Sequence, residues 1–155
     1  MIATEVGSGR WRPADYQERL EAAAGKAGAL ASFIGRMRGG NGIEALELSH
    51  YAPLTAPGIE AMAREAAATF KLEALVIYHS LGHHRPDDPL VFVGAAARHR
   101  RGAINAVDYC MDHLKCAAWL WKRERKDGVW RWVNPRAADH SDLARWKNYV
   151  NTGAV

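Results

Sequence analysis

Two lysines seven positions apart, Lys115 and Lys122, are the side chains here best suited to acid–base or charge-stabilising chemistry. At about 100° per residue on a helix, Lys115 falls roughly 40° from Met111 and 20° from Ile104, at the edge of an apolar stripe. Partial burial there disfavours the ammonium and lowers its pKa toward values useful for amine chemistry. The plainer reading is a snorkelling lysine paired with Asp112. Lys122 opens an alternating run in which Lys122, Glu124 and Lys126 share one face, with Trp121, Arg123 and Arg125 on the other. A solvated strand face is the commoner meaning of such a run.

Two further segments are built to meet anions. Arg98-His99-Arg100-Arg101-Gly102 lies between a strand and a helix start, where backbone N–H groups and the helix dipole add to the side-chain charge. Arg36-Met37-Arg38 leads into a glycine-rich loop and reads the same way, more weakly. From Arg98 to Arg131, nine lysines and arginines face four carboxylates, so the chain's formal charge of +4 is concentrated in one basic block. Arginine outnumbers lysine fifteen to six, which favours defined phosphate or carboxylate contacts over a diffuse coat. A basic block interleaved with tryptophans also suits a non-catalytic nucleic-acid-binding module. His79, His83 and His84 suggest a metal-dependent hydrolase, but no HExxH pattern is present and loop histidines are the simpler account. Cys110 and Cys116 form no CxxC pair and read as buried, unreactive thiols. Any sulfur handled by this protein is expected to arrive on a partner.

The elements that position these residues follow from periodicity and punctuation. A first helix spans Pro13 to Ala24, and strands span Ala29 to Ile34 and Ile43 to Tyr51. Thr55 caps a helix beginning near Pro57, with Ile59, Met62, Ala63, Ala66 and Phe70 as its stripe. Ala74 to Tyr78 is a buried strand, His79 to Pro89 a polar turn region, and Leu90 to Ala97 another strand. The next helix runs from Ala103 to about Ala118 on a stripe of Ile104, Val107, Met111, Leu114 and Ala118. Asp127-Gly128 joins strands Leu120 to Lys126 and Val129 to Val133 in a hairpin. Ser141 caps a last helix, about 139–150, carrying Leu143, Trp146 and Val150. The pattern predicts one α+β domain over residues 1–155 with a mainly antiparallel sheet. No apolar run is long enough to span a membrane, and Met1 to Arg12 holds no signal-like segment, so a cytoplasmic location is expected.

Several segments, in order, resemble the large, catalytic subunit of molybdopterin synthase. They are Ser32-Phe33-Ile34-Gly35-Arg36-Met37-Arg38-Gly39, Leu46-Glu47-Leu48-Ser49-His50-Tyr51 and Ile77-Tyr78-His79-Ser80-Leu81-Gly82. His99-Arg100, Asp112-His113-Leu114-Lys115 and Trp121-Lys122-Arg123-Glu124 follow, leading to Trp132-Val133. The resemblance covers about residues 28–133. It implies an α/β-hammerhead fold and an enzyme that installs two sulfurs on cyclic pyranopterin monophosphate (precursor Z), forming the molybdopterin dithiolene. It implies no cofactor, because a small ubiquitin-like subunit brings each sulfur as a thiocarboxylate on its C-terminal Gly-Gly tail. Two large subunits would form a central dimer with a small subunit at each end, without nucleic acid or membrane. By matching position, Lys115 and Lys122 would be catalytic. Arg36, Met37, Arg38, His99 and Arg100 would line the pterin and phosphate pocket, with Arg123, Glu124 and Arg136 continuing its wall. The chain departs from the family pattern at Trp119, where proline is usual, at Glu47-Leu48-Ser49, at Ser80 in place of arginine, and at Asp87-Asp88 in place of a Gly-Glu turn.

Overall fold

Apolar residues run unbroken from Ala74 to Tyr78 because the strand they form is covered on both faces. A computed structural model describes residues 1–152, apart from the side chains at 148, 150, 151 and 152. Its strands are β1 (Ile2–Ser8), β2 (Ala29–Arg36), β3 (Ile43–His50), β4 (Leu72–His84), β5 (Pro89–Ala97), β6 (Leu120–Lys126) and β7 (Val129–Val133). The helices are α1 (Pro13–Ala23), α2 (Ala52–Thr69), α3 (Arg100–Lys115) and α4 (Ala137–Thr152). The sheet order is β2-β5-β4-β3-β6-β7, antiparallel throughout, with β1 added to β4 in parallel. This is the expected α+β architecture.

Alternation along β4 and β5 divides the core into two layers. Leu75, Ile77, Val91, Val93 and Ala95 pack against α2 and α3, and Phe70 and Trp146 close the same cluster. Ala74, Val76, Tyr78, Phe92 and Ala96 face the other way, toward Leu20 and Ala24 at the end of α1. Leu143 joins the first cluster from α4; Val150, expected on the same stripe, lies outside the described side chains.

Four local expectations need correction. Residues 79–84 are not a turn: β4 continues to His84 because β1 pairs with it as far as Leu81 and β3 with Gly82 to His84. Gly82, with φ of 84°, supplies the left-handed residue where β4 passes from one set of neighbours to the other. Second, α2 begins at Ala52, with Pro57 inside it. Thr55 is no cap; its hydroxyl donates back to the Tyr51 carbonyl at 2.9 Å. Third, α3 runs from Arg100 to Lys115 rather than from Ala103 to about Ala118, and it buries Ala103, Ala106, Val107, Tyr109, Cys110 and Leu114, while Ile104 is 48% exposed. Small residues let α3 approach the sheet closely, which rotates the buried stripe away from the one that larger apolar residues suggest. Fourth, Ser141 lies inside α4, its hydroxyl donating to the Ala137 carbonyl, and the start of that helix is capped from Asp139.

The β6–β7 turn matches its sequence signal, with φ of 51° at Asp127 and 75° at Gly128, the pair of left-handed residues a tight hairpin turn requires. Among the described residues no helix is long and apolar enough to cross a membrane.

Candidate active site

Lys115 is the last residue of α3, and its ammonium lies 3.6 Å from Asp139 Oδ1 in the first turn of α4. The lysine side chain is half exposed, so the burial expected from its helical position is absent in the single chain. Ile104, the neighbour on the expected apolar stripe, itself faces out. The expected partner, Asp112, is engaged elsewhere: it accepts from Arg145 Nη2 and from Trp146 Nε1, each at 2.7 Å. Asp139 is buried. Its Oδ2 accepts the Arg136 backbone N–H at 2.8 Å, and its Oδ1 lies 3.2 Å from Arg136 Nη2. These bonds stabilise the carboxylate and push its pKa down to about 2, with Lys115 adding to the effect.

Lys122 lines a cleft of about 300 Å³ together with Cys116, Leu120, Trp121, Trp132 and Pro135. Its ammonium lies 3.1 Å from Glu124 Oε1, as expected for two residues on one strand face. Strand alternation turns Arg123 the other way, where its guanidinium bonds Glu47 and lies 4.8 Å from the centre of the Trp130 ring. His83 approaches the same Glu47 carboxylate at 3.5 Å. Cys110 is buried, and burial pushes its thiol up to about 12. Cys116 is only partly buried and belongs to the cleft wall. Desolvation first, then the nearby Asp139 and Asp112 carboxylates, raise its pKa.

The anion-binding candidates lie elsewhere in the chain. His99 immediately precedes α3, and Arg98, His99 and Arg100 are all exposed there. Since α3 rises about 1.5 Å per residue, Arg100 and Lys115 stand roughly 22 Å apart along it. Antiparallel pairing sets Ala29 opposite Ala97 and Arg36 opposite Pro89. Arg36 to Arg38 are therefore at the far end of the β2–β5 pair from His99, roughly 23 Å away. Arg36 is tied to Asp87, through the carbonyl at 3.0 Å and the carboxylate at 3.3 Å. Met37 is 2% exposed and exchanges backbone hydrogen bonds with Asp87 and Asp88, whereas Arg38 is exposed. One chain thus gathers Lys115, Lys122, Glu124 and Arg136 around α3's end and the hairpin, and leaves His99 and Arg100 at a distance.

Other placements narrow the alternatives. Among the described residues no group of histidines, cysteines and carboxylates has metal-holding geometry. His79 is buried in β4, with Nδ1–H donating to the Ser80 carbonyl at 2.9 Å. Much of the basic block is neutralised by neighbours: Arg123 by Glu47, Arg125 by Glu44, and Lys122 by Glu124. Such pairing leaves less free charge for a polyanion than the residue count implies. Asp139 is the site residue that sequence reasoning missed. Its signal was its spacing, an acid three residues after Arg136, where a side chain at the third helical position reaches back to the N–H preceding the helix.

Comparison with known proteins bears on the family and the fold. Residues 9–117 match the family model described as MoaE protein. Over 120 residues the chain is 42% identical to the molybdopterin synthase catalytic subunit of Caulobacter vibrioides, covering 77% of this chain and 80% of that one. The molybdopterin biosynthesis MoaE protein of Burkholderia ambifaria superposes with a TM-score of 0.80 at 33% identity, over 95% of this chain and 99% of that one. A complex of subunits 1 and 2 of the Helicobacter pylori molybdopterin-converting factor contains the same fold, with a TM-score of 0.69 at 21% identity, over 87% of this chain and 91% of that one. The match along most of its length and the identity to a curated catalytic subunit place this chain in the MoaE protein family.

Proposed function

We propose that this chain is the catalytic subunit of a molybdopterin synthase in the cytoplasm, transferring sulfur to cyclic pyranopterin monophosphate. The observation that carries the reading is the cleft lined by Lys122, with Lys115 and Arg136 adjoining two of its wall residues, Cys116 and Pro135. A small ubiquitin-like partner inserts its C-terminal Gly-Gly tail, and the thiocarboxylate sulfur bonds to an oxygen-bearing carbon of the pterin side chain as that carbon's C–O bond breaks, the oxygen leaving as water or staying on the opened phosphate ester. Water then cleaves the acyl–sulfur bond, so the carrier leaves as a carboxylate and the sulfur stays behind. A second carrier repeats the step to complete the dithiolene. Lys115 handles proton transfers around the accepting carbon, while Lys122 balances charge on the acyl group and on the tail carboxylate. Glu124 orients Lys122, and no cofactor is required because the partner carries the sulfur.

The cyclic phosphate needs cations that one chain holds too far from Lys115. A second copy resolves this by presenting His99 and Arg100, with the exposed Arg38 as a further cation. Leu30, Phe33 and Ile34 on the edge strand β2 and Ile104 on α3, each 40–48% exposed, support contact between copies. The resulting assembly is a central dimer with one small subunit at each end. The test is to mix the protein with a thiocarboxylated ubiquitin-like partner and precursor Z. Dithiolene product is expected, with none from the unmodified partner. Absence of product, together with salt-sensitive binding to generic oligonucleotides, would overturn the assignment.

A further inference from the structure

Asp139 has more partners than a helix cap needs. Its Oδ2 takes the Arg136 backbone N–H at 2.8 Å, which satisfies a donor at the start of α4. Its Oδ1 instead meets the Arg136 guanidinium at 3.2 Å and the Lys115 ammonium at 3.6 Å. The carboxylate is nine-tenths buried while Lys115 is half exposed and Arg136 mostly exposed, so the anion is the fixed member of the trio. Lys115 adjoins Cys116, and Arg136 adjoins Pro135; Cys116 and Pro135 both line the cleft that contains Lys122. One buried negative charge therefore ties together two points on that cleft's wall, one from the end of α3 and one from the segment entering α4.

We propose that Asp139 is a positioning residue of the sulfur-transfer site, clamping the Lys115 ammonium and the Arg136 guanidinium together beside the cleft. The inference rests on the reading of Lys115 as the proton-handling residue. A half-exposed lysine on a flexible four-carbon stem samples many rotamers, and a misplacement of about 1 Å at a reacting centre costs on the order of a hundredfold in rate. A carboxylate that stays ionised at every working pH holds the amine without competing for protons. Tail insertion then meets a preset Lys115 instead of having to order it.

Asp139→Asn separates this role from capping. The amide oxygen still accepts the Arg136 N–H, so α4 keeps its cap, but the negative charge between Lys115 and Arg136 is gone. With the full-length protein, thiocarboxylated partner and precursor Z, single-turnover sulfur transfer should fall about tenfold to a hundredfold. The KM for the partner should stay within about twofold of the parent value, because the loss lies in the chemical step. Asp139→Glu, which restores the charge, should recover most of the lost rate. Asparagine and glutamate variants that are equally slow and equally destabilised would assign Asp139 a purely structural role and overturn the proposal. So would an asparagine variant turning over at the parent rate while Lys115→Ala is inactive. Full activity of Lys115→Ala itself would instead remove the reading on which the proposal stands.

Discussion

His79 sits where a proton cannot be accommodated. Its ring is buried in β4 and donates Nδ1–H to the Ser80 carbonyl, and desolvation holds its pKa down to about 4, with His84 and His50 adding to the effect. In the unfolded chain the group returns to its ordinary value of 6.5. Between these limits the unfolded chain binds a proton that the folded chain refuses. Stability is therefore fully present above pH 6.5 and is lost as pH falls toward 4, by up to about 3 kcal/mol. Urea denaturation across that window should show the loss, and His79→Gln should flatten it; an unchanged slope in the variant would refute the assignment. Asp139 acts lower, since its depressed pKa contributes stability above the usual carboxylate range that is lost as pH falls toward 2. At this scale the sequence disclosed which side chains had chemical potential but not their surroundings. Lys115 was legible as a reactive candidate; its partner was not, because Asp139 reaches it from another helix and no spacing rule links the two.

Elements show how one departure from the family pattern is accommodated. Trp119 stands where proline is usual, and its indole lies over Gly58 of α2, so close that a Cβ there would sit 2.6 Å from the ring. Gly58 thus makes room for Trp119, which packs on the main core and lends its carbonyl to the Tyr51 N–H at 3.0 Å. Gly58→Ala gains up to about 1 kcal/mol of helix propensity. Overpacking costs about 1–3 kcal/mol. A lowered melting temperature is expected, and the same substitution should cost less in a Trp119→Leu background. Equal costs in both backgrounds would show that the ring is not what fills the space. Most elements were legible from periodicity, and the Asp-Gly hairpin was located to the residue. β1 was not, because its seven residues alternate weakly and owe their strand to a distant edge of β4. The same missing neighbour made residues 79–84 read as a turn.

The whole molecule divides the proposed chemistry between two places, the lysine cleft at one end of α3 and the cationic junction at the other. The basic block was visible as a run of letters, but that Arg100 and Lys115 within it stand roughly 22 Å apart along one helix is a property of the fold alone. If a second copy closes the site, two inactive variants should rescue each other. Mixing Lys115→Ala with Arg100→Ala, each inactive alone, should restore activity, because a mixed dimer retains one site with both groups intact. No recovery after subunit exchange would place both groups in one chain's site. The role proposed for Lys115 is chemistry rather than recognition, and single-turnover transfer from a bound, thiocarboxylated partner tests it most directly. Lys115→Ala should bind the partner as tightly as the parent protein and form no dithiolene, whereas dithiolene formation at the parent rate would contradict the account.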